Sequence, residues 1–284
     1  MLSKFKAIAI ILLGATLTSL SASAQVLEPR DQIYDKVTTP TRRITPYTEI
    51  READVMWQRR IWRVMDLREK MNQTFYYPFE VTNGRSNLIT IIKNSLEAGE
   101  LRAYDPFYDD FTVPYTAQQA LSIGSDTTFY TDYRPYEPYE EYDTFRINTL
   151  DYSSIKKFYI KEDWVFDKAR SVMEVRILGI CPVREVRDQN GEYRGEQPMY
   201  WIYFPELRTI IANEEMYNRY NNIANQLTYD DAFMKRMFSS YIYKEDNVYD
   251  RKISDYMKNG LEALLESEDI KDKMRNYEHD LWEQ

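Results

Sequence analysis

The sequence predicts an α+β fold: helices packed on a small central antiparallel or mixed sheet, with a helical C-terminus. Three observations point to that class. The middle of the chain, Val172 to Phe204, is dense in Val, Ile, Met and aromatic residues interrupted by turn signals, the pattern of paired strands. Apolar residues at helical spacing, opened by capping residues, lie on either side of it. A chain of 284 residues with one cysteine, Cys181, closes no internal disulfide, so its stability must come from a packed core.

Residues 1–24 predict a cleavable signal peptide. Lys4 and Lys6 supply the positive start and Ala7 to Leu20 an apolar run, and Ala22-Ser23-Ala24 places the cut before Gln25. The run is shorter than the roughly 20 residues of a membrane-spanning helix. A lipoprotein would carry cysteine directly after the cut, where Gln25 stands. Loss of two lysines moves the net charge from −9 to −11. That balance disfavours nucleic acid and anionic lipid as main partners, because both reward clustered Lys and Arg.

Residues 25–47, with Pro29, Pro40 and Pro46, predict an extended N-terminal arm. An α+β core is expected over 48–245, opening with a helix from about Glu49 to Met71. At about 100° per residue, Ile50, Ala53, Trp57, Ile61, Val64 and Met71 share one stripe, while Val55 and Trp62 fall nearly opposite. Such a helix either packs on both sides within the fold or offers Trp62 to another chain. Phe75–Val81 predicts a short strand, and Asn83-Gly84 a turn. Ser86 precedes a helix carrying Leu88, Ile91, Ile92, Ser95 and Leu96, closed by Gly99. Thr116 with Gln119 is a capping box for a short helix through Leu121. Residues 129–145, FYTDYRPYEPYEEYDTF, predict a Tyr-rich loop able to stay mobile until bound.

Val172–Cys181 and Val183–Val186 predict strands up to a turn at Asp188–Gly191, and Met199–Phe204 the returning strand. Glu206–Asn213 is helical. Thr228 with Asp231 opens a helix bearing Phe233, Met234, Met237, Phe238 and Tyr241. C-terminal helices fill 246–284, one over Val248–Leu265 and one from Ser267 with the stripe Ile270, Met274, Tyr277, Leu281.

Catalytic chemistry finds little support. His279, the only histidine, falls opposite the apolar stripe of its helix, away from any water-excluding pocket. Cys181 ends an apolar strand and lacks a base to activate it. No phosphate-cradling glycine loop, GxSxG or EF-hand pattern occurs. A carboxylate pair of the glycosidase type stays open, since two acids can meet from anywhere in the chain. The 25 tyrosines suit surfaces that are apolar at one end and wet at the other.

The segment Arg51–Pro78, READVMWQRRIWRVMDLREKMNQTFYYP, resembles the signature segment of the GldN/PorN family of gliding-motility and type IX secretion proteins. Residues 83–105, 161–183 and 200–208 are similar in kind. The resemblance implies a periplasmic, non-catalytic subunit of a homo-oligomeric ring. That ring would be bound to a GldK/PorK-like outer-membrane lipoprotein and coupled to a GldM/PorM-like inner-membrane motor protein. No cofactor, metal or nucleic acid is expected. The residues expected at a partner interface are Trp62, Tyr133, Tyr136 and Tyr139, with Trp57 holding the fold. The rival readings are a periplasmic carbohydrate-active enzyme using a carboxylate pair and a small-ligand-binding module. Mass spectrometry of the periplasmic protein should find Gln25 as its first residue; intact Met1 on membrane-embedded protein would contradict this.

Overall fold

The computed structural model describes residues 33, 36–82, 84–133, 141–148, 151–188, 191–218 and 226–282. The elements below all lie in the unit Val37–Gln284, distinct from Met1–Lys36. The class is α+β, but the sheet is large: eight strands in the order β12-β1-β6-β7-β9-β2-β3, with β8 pairing β7 off that path. Its strands are β1 (Val55–Asp66), β2 (Ala103–Tyr104), β3 (Pro114–Tyr115), β6 (Ile155–Asp167), β7 (Val172–Arg187), β8 (Tyr193–Pro198), β9 (Trp201–Tyr203) and β12 (Tyr241–Glu245), and all their pairings are antiparallel.

The expected helix over Glu49–Met71 is therefore a correction: its centre is β1, a strand inside the sheet. The physical reason lies in apolar residues on two sides. Trp57, Ile61 and Met65 fall on one face of a period-two strand, with Trp62 and Val64 on the other. Both faces of this strand are covered by packing: Ile61 lies under the C-terminal helix and Met65 in the main core on one face, and Trp62 packs with Cys181 and Trp201 on the other. Trp57 and Trp62 are five residues apart and so face opposite ways, by strand alternation instead of helical angle.

One face of the sheet carries the helical layer. It comprises α1 (Gln73–Tyr76), α2 (Leu88–Glu97), α3 (Ala117–Ser122), α4 (Phe204–Ile211) and α5 (Tyr229–Met234). Leu88, Ile92, Phe204, Leu207 and Phe233 bury themselves there against Met65, Phe158, Ile160 and Ile202. The local signals hold. Asn87 Oδ1 accepts from Thr90 N–H at 2.8 Å to cap α2. Gly99 takes φ +73° just past its end, a conformation that favours glycine. The Thr116/Gln119 capping box is formed at α3. Asp231 N–H donates to Thr228 Oγ1 at 3.3 Å to start α5.

Other expectations change. Phe75 and Tyr76, expected in a strand, are buried within α1, because packing against α2 and α5 outweighs a local β preference. The Tyr-rich stretch expected as a loop holds two antiparallel strands, β4 (Asp126–Tyr133) and β5 (Glu141–Asn148), with Phe129 opposite Phe145. Pro135 and Pro138 of that stretch lie outside the described residues. The chain returns from β7 through β8 before β9, and a short antiparallel pair, β10 (Glu215–Met216) with β11 (Leu227–Thr228), precedes α5. Helix α5 stops at Met234 and Arg236 takes φ +52°, which delivers Tyr241 to β12. The C-terminus holds a short α6 (Ile253–Tyr256) and one continuous α7 (Gly260–Trp282). Ser267 sits inside α7 because its hydroxyl accepts the Ile242 N–H of edge strand β12 at 2.9 Å. Ile270 and Met274 of α7 pack on Ile61 and Ile242, and Tyr277 lies 5.0 Å from the Trp57 ring.

The described part of the arm makes a turn at residues 38–41, then runs to Tyr47 without regular structure, strapped across α4 and α5. Arg208 is almost fully buried; its Nε donates to Asp230 at 2.8 Å and its Nη2 to the Thr45 carbonyl at 3.0 Å. Tyr47 lies between the guanidinium groups of Arg208 and Arg176, at 4.4 and 5.1 Å. Further out, Arg42 grips Asp231 through two hydrogen bonds. Replacing Arg208 with Ala leaves Asp230 without its charge partner and should cost about 3–5 kcal/mol. Arg42→Ala, at a more exposed pair, should cost at most about 1 kcal/mol. Urea denaturation of both variants checks the contrast.

Candidate interaction surface

The sheet face opposite the helical layer is built from aromatic rings. Cross-strand pairing brings Trp62, Tyr159, Cys181, Trp201 and Tyr243 together, with Tyr104 and Phe111 against them. Tyr159 and Tyr243 are tilted at 4.8 Å. Burial raises the hydroxyl pKa of both tyrosines and lifts the Cys181 thiol to about 12. The loop between β2 and β3 crosses this face. Asp109 anchors it, accepting from Trp62 Nε1–H at 2.6 Å and sitting 3.4 Å from the Lys161 ammonium. Lys161 is itself buried, and desolvation lowers its pKa despite Asp109.

Phe111 locks the far side of that loop. It adopts φ +59° and lays its ring on Tyr104 and Tyr203 at 5.6 and 5.5 Å. A β-carbon on Gly179 would stand 2.6 Å from the Phe111 ring, so glycine there is what lets the ring settle onto the sheet. Held at both points, the loop turns Phe107 outward at 83 % exposure, edge-on to Tyr108 at 5.0 Å.

Two other places leave large apolar groups in water. Leu261, Leu264 and Leu265 near the start of α7 are exposed, Leu261 by 70 %, next to exposed Tyr256. On the helical side, the chain after α1 presents Tyr77 and Phe79 beside Tyr217, each about half exposed. Such groups clustered on a surface mark contact sites more often than single scattered apolar residues do.

Among the residues expected at an interface, Trp62 is 5 % exposed within its own chain. It reaches the surface only through Asp109 and the loop that Asp109 holds. Tyr133 ends β4; Tyr136 and Tyr139 lie outside the described residues. Phe107, Tyr108 and the α7 leucines went unselected. Their signal was available as bulky apolar residues in an Asp-rich turn, DPFYDD, and as Leu261, Leu264 and Leu265 beside the apolar stripe of their own helix.

His279 is exposed on α7. No group of three or more His, Cys, Asp or Glu side chains is placed to hold a metal, and no helix is long and apolar enough to cross a membrane, both among the described residues. With its pKa raised, the Cys181 thiol carries almost no thiolate at about pH 8. Iodoacetamide should therefore leave it unmodified in the native protein and alkylate it once denaturant exposes it; rapid native labelling would contradict its burial.

Residues 50–283 match the family model described as "Gliding motility associated protein GldN". No curated protein matches the chain. The matched span runs from just before β1 to the end of α7 and so takes in the sheet, the helical layer, the anchored loop and the leucine patch. It also contains the Arg51–Pro78 segment on which the resemblance rested. The chain belongs to the GldN family of gliding-motility and type IX secretion proteins.

Proposed function

We propose that the protein is a structural subunit of a periplasmic ring in the type IX secretion and gliding machinery. In that ring it is bound to an outer-membrane lipoprotein and coupled to an inner-membrane motor protein. The observation that carries this reading is the placement of the exposed apolar groups. Phe107 and Tyr108 stand on the loop that crosses the aromatic face, the α7 leucines on the helix that packs against edge strand β12, and Tyr77, Phe79 and Tyr217 on the helical side. A subunit that closes a ring uses two different surfaces to meet its neighbours, and a lipoprotein anchor takes a third.

On this reading Trp62 is a positioning residue: its indole N–H fixes Asp109, and Asp109 fixes the Phe107/Tyr108 loop. The α7 leucines are the proposed lipoprotein contact, since they sit clear of the Ile270/Met274 side of the helix that packs on the sheet. Truncating a few central apolar residues commonly removes most of an interface's affinity. The double variant Leu261→Asp/Leu265→Asp should melt within a few degrees of the parent, because neither side chain is buried. It should fail to co-purify with the outer-membrane lipoprotein from native membranes. Retention of the lipoprotein by the folded variant would remove this assignment.

A further inference from the structure

Behind Tyr77 and Tyr217 lies a cleft of about 500 Å³. Its walls are mainly apolar, formed by Tyr77, Pro78, Thr74 and Tyr217, with Lys70 and Arg85 among its lining residues. Arg85 is held by Glu215 at 2.7 Å and stands 5.9 Å from the centre of the Tyr217 ring. The Tyr77–Pro78 peptide bond is cis, and the rings of Tyr76, Tyr77 and Phe79 meet edge to face at 4.7 to 5.0 Å. Ring-walled grooves of this kind take proline-rich segments, whose extended left-handed helix presents flat apolar edges at little entropic cost.

The chain contains one such segment. Between β4 and β5 it reads Pro135-Tyr136-Glu137-Pro138-Tyr139-Glu140, a three-residue unit repeated twice. Polyproline II turns once in three residues, so that repeat would place the prolines on one edge, the tyrosines on a second and the glutamates on a third. Proline and tyrosine edges suit the ring walls, and the glutamates suit Lys70 and Arg85. Among the described residues β4 and β5 pair only with each other. A two-stranded ribbon on its own is marginal in water and gains stability once its end is held.

We propose that the Pro135–Glu140 tip of one copy docks into the Tyr77/Pro78/Tyr217 cleft of a second copy. The contact joins two different surfaces, the kind of contact that closes rings, and it rests on the ring reading above. It also gives Tyr136 and Tyr139 a defined place to bind.

The test uses full-length mature protein carrying Pro135→Ala/Pro138→Ala, whose own tip no longer competes, and a fluorescent peptide of residues 132–143. Saturable binding is expected, weakened at least about tenfold by Tyr217→Ala in the protein or by both proline-to-alanine changes in the peptide. Absence of saturable binding, or indifference to Tyr217→Ala, overturns the proposal. Copies carrying Glu140→Cys, mixed with copies carrying Gln73→Cys on the cleft lining, should form a disulfide between chains. A disulfide that closes only when both cysteines sit on one chain overturns docking between copies. The peptide assay needs a single folded copy. A null result there, with lipoprotein-bound assemblies still formed, condemns this contact and leaves the ring reading standing.

Discussion

Strand β6 runs through the middle of the sheet between β1 and β7, yet its centre reads Lys161-Glu162-Asp163, and all three side chains are buried. Charges removed from water must be paired or they cost several kcal/mol each. Alternation sends Lys161 and Asp163 to one face and Glu162 to the other. Each is answered by a different part of the chain. Lys161 is met by Asp109 of the loop crossing the aromatic face, Glu162 by Arg236 at 3.0 Å in the turn after α5, and Asp163 by Arg60 at 2.7 Å on β1. Three consecutive residues thereby tie a loop, a helix end and a neighbouring strand to the same short stretch. The Trp62–Asp109 hydrogen bond, the outward turn of Phe107 and Tyr108, and the path from α5 into β12 all depend on that arrangement.

The legible parts of the fold were those decided within a few residues. Capping at Thr116 and Thr228, the glycine closing α2, and the Ile270/Met274/Tyr277 stripe each rest on local chemistry, and each is present. β1 was misread because an apolar run with residues on two sides fits a buried strand as well as a two-faced helix. Only its partners β6 and β12, about 100 and 180 residues away in sequence, settle which it is. Distance also hid the role of Trp62, since Asp109 stands 47 residues away. The Tyr-rich stretch was misread through its prolines, which mark the connection between two strands and not the strands themselves. The strap made by Thr45 and Tyr47 was invisible for a different reason: the buried Arg208 that holds it sits within a helix whose local pattern is complete without it.

The ring subunit proposed above has to persist as a building block while meeting other chains, and on that proposal the two demands fall on different residues. Persistence comes from the sheet centre and from the layer of α2, α4 and α5, where the rings and branched chains are dry. The proposed contacts lie on segments clamped at their base: the loop pinned by Asp109 and Phe111, and α7, pinned by Ile270 and Met274 with its leucines exposed. Clamping lowers the entropy lost when such a segment binds, so a few exposed side chains can serve as firm contacts.

The hydroxyl of Ser267 occupies a backbone donor of β12, and α7 lies along that outermost strand. An uncovered outer strand offers a row of free backbone groups to any passing chain. Because α7 follows β12 in the chain, a chain that has reached β12 and not yet α7 leaves that strand unshielded. For that interval the nascent chain carries an adhesive border that the finished molecule lacks. Early termination anywhere before Ser267 would fix it permanently in that state, leaving a chain prone to clumping.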